Sequence, residues 1–174
     1  MPPGREGLTS AKLERGPVHA KLRNLASSLL AGAGATLVHA ALMAVKHRAG
    51  ILPGFEPYDD VQRFLASVTD WSLEPPWSWL LPYINGALLF GFVFGRLFVH
   101  LPGRTAIAKG TAFGFAAWLA MGFGFFPLAG RGVFAWKLGL GALPAALSFA
   151  MLMLYAIVMS LLYARLTGRN AGKA

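Results

Sequence analysis

Residues 143–166 read LPAALSFAMLMLYAIVMSLLYARL, an apolar run whose only cation, Arg165, stands at its far end. A hydrocarbon core about 30 Å thick is crossed by about 20 apolar residues in a helix, so this run reads as a membrane span. Three runs before it read the same way. Asn24 to Val45 ends at Lys46, His47 and Arg48, whose side chains can extend to headgroup level. Trp77 to His100 opens on Trp77, Trp79 and Tyr83, an aromatic belt, and closes at Arg96 and the turn Leu101-Pro102-Gly103. Thr105 or Ala106 to Phe126 carries Lys109 in its first turns and is expected to stop at Pro127. The expected fold is an all-α membrane protein, a bundle of four transmembrane helices over residues 24–166. It is flanked by a basic arm (1–23) and a basic tail (167–174).

Charge orients this bundle. The arm, the turn after the second span and the tail hold eleven basic residues, Arg5, Lys12, Arg15, Lys21, Arg23, Arg96, Arg104, Lys109, Arg165, Arg169 and Lys173, against Glu6 and Glu14, which leaves +9. The other two connections hold Lys46, Arg48, Arg63, Arg131 and Lys137 against Glu56, Asp59, Asp60, Asp70 and Glu74, which leaves zero. The whole formal charge of +9 therefore falls on one side, and the positive-inside rule makes that side cytoplasmic, with both termini on it. The polar first 23 residues lack a small-residue cleavage site, so the first span is expected to act as its own insertion signal.

Composition narrows the class further. At 56% hydrophobic and 13% charged residues the chain is too apolar for an ordinary soluble domain. Its basic residues cluster beside the spans and not among stacking aromatics, which points to anionic lipid headgroups and away from nucleic acid. With no cysteine, disulfides, thiolate metal sites and redox thiols are excluded.

Between the first two spans, Val61, Phe64, Leu65 and Val68 recur at i, i+3, i+4 and i+7 among polar neighbours, predicting a short helix in the outer interface capped by Asp59 or Asp60. The same apolar residues would equally suit packing beneath the loop. Trp71, Pro75, Pro76 and Trp77 then turn the chain into the second span, with Trp71, Trp77, Trp79, Lys46 and Arg48 as interface anchors.

Lipid supplies no hydrophobic drive for helix association, so small residues that admit close backbone approach are the expected contacts. Gly91 and Gly95 form one small-xxx-small pair and Gly110 and Gly114 another, while Gly32 lies in the small stretch Ala31 to Ala35. Phe90, Phe92, Phe94, Phe113, Phe115 and Trp118 are expected to face lipid or a partner.

Ionisable groups at membrane depth are costly and mark function by default. His39 is the one such residue well inside a span, and Asn85 is its expected hydrogen-bond partner. A neutral imidazole can ligate haem or a metal, but no second histidine of the chain lies at matching depth. The spans hold no carboxylate, and so no acid and base pair for catalysis. Glu56, Asp59 and Asp60 suit capping and solvation better than a divalent cation.

The chain resembles a family of small four-helix bacterial inner-membrane proteins known only as a domain of unknown function. The resemblance runs from about Leu30 to Ser160. It rests on Gly34-Ala-Thr-Leu-Val38 with Leu42-Met43 and Lys46, Gly50-Ile-Leu-Pro53, Trp79-Leu-Leu81 with Gly86, Leu101-Pro-Gly103, Pro127-Leu-Ala-Gly130, Gly132-Val-Phe134, Leu138-Gly-Leu-Gly141 and Tyr155. It implies histidines in relatives where this chain has Pro82 and Leu152, and an apolar residue where it has His39. Those departures favour a scaffold over a cofactor carrier.

The function expected is a structural or accessory subunit of a larger bacterial inner-membrane complex, respiratory or photosynthetic. It is expected to be no enzyme and to have no metal or cofactor of its own. Its partners are membrane lipids, including bound lipid, and other membrane-protein subunits. The alternative is a small oligomeric transporter or channel component using His39 and Asn85.

Overall fold

The computed structural model describes residues 17–69, 80 and 83–168. Among these the regular secondary structure is all helical, without a strand. Its helices are α1 (Pro17–Arg48), α2 (Pro57–Thr69), α3 (Ile84–Leu97), α4 (Ala106–Leu128) and α5 (Leu143–Thr167), with a 3-10 segment, Val133–Leu138, between the last two. Three helical stretches, His19–Arg48, α4 and α5, are long and apolar enough to cross a bilayer. The shorter apolar α3 lies within the second run; Trp71, Trp77 and Trp79, three of the expected anchors, lie outside the described residues.

Helix ends depart from expectation at three places. α1 begins at Pro17, well ahead of Asn24, since proline's fixed φ suits a first turn and nothing in Val18 to Arg23 opposes a helix. α2 begins at Pro57, which puts Asp59 and Asp60 inside its first turn and not at its cap. Pro127 does not stop α4. The residues before it, Met121–Phe125, wind as a π-helix, and this wider turn makes room for the proline ring, which in a regular α-helix would strike the carbonyl four residues back. The helix ends one residue later, where the Ala129 N–H donates to the Phe125 carbonyl at 2.9 Å and Gly130 takes φ +75°.

α5 packs along both α1 and α4, and α3 lies against α1. Glycines set the spacing. A Cβ on Gly32 would stand 2.7 Å from the Gly86 carbonyl oxygen and 3.1 Å from Gly91 Cα; one on Gly91 would stand 2.8 Å from the Ser28 carbonyl oxygen. Gly95 is as close to Ser28 Cβ, at 2.6 Å. On the other seam, a Cβ on Gly110 would meet Ile157 Cα at 2.8 Å, and one on Gly114 would meet Ala156 Cβ at 3.0 Å. Gly86, five residues before Gly91, joins that face because Ile84–Phe90 is a π-helix. In a regular α-helix five residues overshoot one turn by about 140°.

Rings fill the space between the seams. Phe94 meets Phe98, Phe113 and Tyr163 with centroids 5.4, 5.1 and 5.8 Å away, all edge to face, and Phe90 bridges Phe113 and Tyr155. Each such pair is worth about 0.5–1.5 kcal/mol beyond the area it buries. Phe94 and Phe113 are thus core, and only Phe92 and Phe115 of the six expected outward aromatics are largely exposed. Their neighbours were drawn inward because the glycines leave a gap that a large ring fills.

Gly110→Leu should force α4 and α5 apart, because the obstruction is backbone and cannot rotate away. We expect a loss of about 1–3 kcal/mol, the usual range for overpacking. Gly124, which has open space around it, is the control. Gly124→Ala should leave the thermal transition in detergent unchanged or raise it, and equal losses at both sites would refute the close-packed seam.

Candidate functional site

Polar side chains gather at two places near one end of the bundle, the end that carries α2. The deeper is a seam between α1, α3 and α5. There Tyr155 donates from its hydroxyl to the Gly86 carbonyl at 2.7 Å, and Thr36, donating to the Gly32 carbonyl at 2.9 Å, crowds the same glycine from α1. The π turn makes this meeting possible: Gly86 O also takes the N–H of Gly91, five residues on, and so sits on the face that α5 reaches. His39 stands above this point. Its ring meets Tyr58 and Tyr155 edge to face at 6.0 and 6.1 Å, and Tyr58 Oη lies 3.4 Å from Nδ1. Burial, with Tyr83 nearby, pushes the Tyr58 phenol up to about 12, so it keeps its proton far beyond neutral pH and can donate to Nδ1. At 3.4 Å that bond is weak.

The partner that His39 finds is therefore Tyr58, from α2, and not Asn85. Asn85 is half-buried on α3 and forms no hydrogen bond with His39. Amphipathic α2 brings this tyrosine back over the bundle, a placement that an i, i+4 reading of α2 alone does not reveal.

The second cluster ties two connections together. Asp60, its side chain 2% exposed, accepts from Arg63 and from Arg131, whose Nε and Nη2 lie 3.0 and 2.7 Å from the same Oδ1. Lys46, expected to reach toward headgroups, is instead 4% exposed; its Nζ donates to the Phe55 carbonyl at 2.6 Å and to Glu56 Oε1 at 2.8 Å. The short Gly50 to Gly54 turn folds the chain back upon the end of α1, and an ammonium there does better against a carbonyl and a carboxylate than stretched outward. Arg48 and His47 remain exposed. Below these pairs Phe55 packs on Phe126 at 5.7 Å, and with Ala135 they form a small second core.

The 3-10 segment seals the other side. Phe134 and Ala135 both take left-handed backbone, φ +51° and +60°, a costly conformation for residues with a side chain. What holds them is the Phe134 ring, seated on Gly122, tilted against Trp118 at 4.5 Å and edge to face with Phe123 at 5.0 Å. Trp118 in turn donates to the Ala145 carbonyl at 3.0 Å. Among the described residues, no three His, Asp or Glu side chains converge as a metal site would require.

The chain belongs to a family of unknown function, DUF6789, whose model matches residues 22–174. No curated protein and no solved structure matches it. Membership ties the helical architecture to a family but assigns it no chemistry.

The two guanidiniums on Asp60 should differ in energetic weight. Arg131→Gln leaves a buried carboxylate with one exposed partner and should cost about 3 kcal/mol, whereas Arg63→Gln removes a largely exposed partner and should cost less than about 1 kcal/mol. Thermal unfolding in detergent of the two single variants and the double variant measures both; equal costs would refute the asymmetry. Tyr155→Phe should cost about 1 kcal/mol by freeing the Gly86 carbonyl of its interhelical donor.

Proposed function

We propose that the protein is a structural subunit of a larger assembly in the bacterial inner membrane. It crosses that membrane four times, with its termini and basic clusters cytoplasmic and the α2 end facing outward. The observation that carries the reading is how little of each long helix the chain covers itself: 28% of the most apolar stretch is buried in each of the three. The exposed Phe115, Phe123 and Phe149 of α4 and α5, with Phe92 of α3 and Trp136 of the 3-10 segment, are apolar surface that lipid or neighbouring subunits must cover.

The interior supports the same reading from the other direction. Ser160 donates to Ala106 O at 2.6 Å, Ser148 to Ala145 O at 3.0 Å, and Thr36 and Tyr155 to the carbonyls already described. These four hydroxyls are engaged with the chain's own backbone, where a transport path would present them to a substrate. His39 with Tyr58 and Tyr155 beside it is packed as a strut, which weakens the transport alternative built on His39 and Asn85. No catalytic step is assigned.

Extraction of the tagged protein from its native membrane in mild detergent should yield a larger particle with stoichiometric partner chains by mass spectrometry. Phe115→Ala should release those partners without lowering the melting temperature of the isolated subunit. Recovery only as a free monomer would overturn the proposal. Topology is separately testable because the chain has no cysteine. A membrane-impermeant maleimide added to intact spheroplasts should label Asp59→Cys and spare Arg104→Cys, and the reverse pattern would invert the orientation.

A further inference from the structure

Beside the Asp60 cluster lies an open cleft of about 460 Å³, lined by Asp60, Arg63, Phe64 and Ser67 from α2 and by Leu128 to Arg131 from the end of α4. Its charge does not cancel. One buried carboxylate faces two guanidiniums, and the three hydrogen bonds they donate all fall on a single oxygen, Oδ1. Arg63 spends Nη2 alone on that oxygen, and its side chain is 63% exposed. A guanidinium carries five N–H donors in a fixed fork, so the wall retains donors with no partner among the described residues, and the lining carries a net charge of +1. Asp59 is exposed and lies outside the lining.

The rest of the lining restricts what can enter. The Gly130 and Arg131 amides already donate to the Pro127 and Phe126 carbonyls, at 3.0 and 2.9 Å, so no backbone nest is on offer. The Ser67 hydroxyl proton is taken by the Phe64 carbonyl at 2.7 Å. Recognition falls to the guanidiniums, whose planar fork matches two oxygens of one phosphate. The lip is apolar: Phe64 is half-buried, and Leu128, the last residue of the apolar α4, is 69% exposed. A cationic wall joined to an apolar lip, at the depth where a spanning helix ends, is the arrangement that a lipid headgroup meets.

We propose that this cleft binds the phosphodiester of a membrane phospholipid, with Arg63 and Arg131 as its cationic wall and Phe64 and Leu128 against the glycerol and first acyl carbons. Asp60 holds the two guanidiniums in place and also competes with the ligand for them. That competition gives the site a signature that a purely structural ion pair lacks. Removing Arg63 should weaken phospholipid binding, and neutralising Asp60 should strengthen it.

The test uses the full-length protein, purified and delipidated in detergent, titrated with dioleoylphosphatidylglycerol and read by native mass spectrometry. We expect a saturable bound lipid, about tenfold weaker binding in Arg63→Gln for the loss of one charge-assisted contact, and tighter binding in Asp60→Asn. Arg96→Gln, on the far end of α3, should match the parent. Dioleoylglycerol, which lacks the phosphate, should not compete. Melting curves establish that each variant is folded, and Arg63, being exposed, is the safer substitution. Equal affinity in Arg63→Gln and the parent would overturn the proposal, as would weaker binding in a folded Asp60→Asn. Displacement of the lipid by equimolar glycerol 3-phosphate would also overturn it, because the site would then belong to a soluble anion.

Discussion

Everything in this bundle depends on how closely two backbones can approach where there is no water to expel. In water, burying a leucine stripe is enough to bring helices together; between lipid chains that gain vanishes, and contact distance decides. The glycines of α3 and α4 settle it here. With a Cβ at Gly110 only 2.8 Å from Ile157 Cα, or at Gly32 only 2.7 Å from the Gly86 carbonyl, no larger residue fits without moving a helix. Once the helices are that close, side-chain hydroxyls reach carbonyls on their neighbours, as Ser160 does at Ala106 and Tyr155 at Gly86. The rings of Phe94, Phe113 and Tyr163 occupy what the glycines leave open.

The π turns belong to the same constraint. Glycines at 86, 91 and 95 are spaced by five and then four residues, and no single α-helical register puts all three on one face. Winding Ile84–Phe90 as a π-helix spends some regularity of hydrogen bonding to align them against α1. The second π segment, Met121–Phe125, serves a different end, admitting Pro127 and presenting Gly122 to the ring of Phe134. In both cases a local irregularity is set by a tertiary contact.

This division marks how much could be read from the sequence. Long apolar runs announce helices whatever surrounds them, so α1, α4 and α5 were legible from composition alone, as were the pairs Gly91 with Gly95 and Gly110 with Gly114. Gly86 escaped notice as a packing residue because its five-residue spacing matches no helical template. Lys46 departs from expectation because a lysine after an apolar run ordinarily extends outward, and only the fold-back through Gly50 to Gly54 brings Phe55 and Glu56 to meet it. Asp60 was legible as a helix-start residue, but its true partner, Arg131, lies 71 residues away, on the connection after α4. Pairings between connections follow from the whole arrangement of helices, which periodicity does not encode.

The two ends of the bundle are consequently unlike in kind. At the end where α3 meets α4, Arg96, Arg104 and Arg165 are left exposed, and among the described cations there Lys109 is drawn in, onto the Phe98 carbonyl at 2.6 Å. At the α2 end, Glu56 and Asp60 are consumed in pairs with Lys46, Arg63 and Arg131 that lock two connections over a small core of Phe55, Phe126 and Ala135. Opposite charges there are what permit burial: a carboxylate as enclosed as Asp60 is tolerated only when cations and their hydrogen bonds come with it. Charge excess at the other end forbids similar closure, since like charges brought together would repel at low dielectric. The difference in charge between the two ends is thus what decides which of them can fold into a cap.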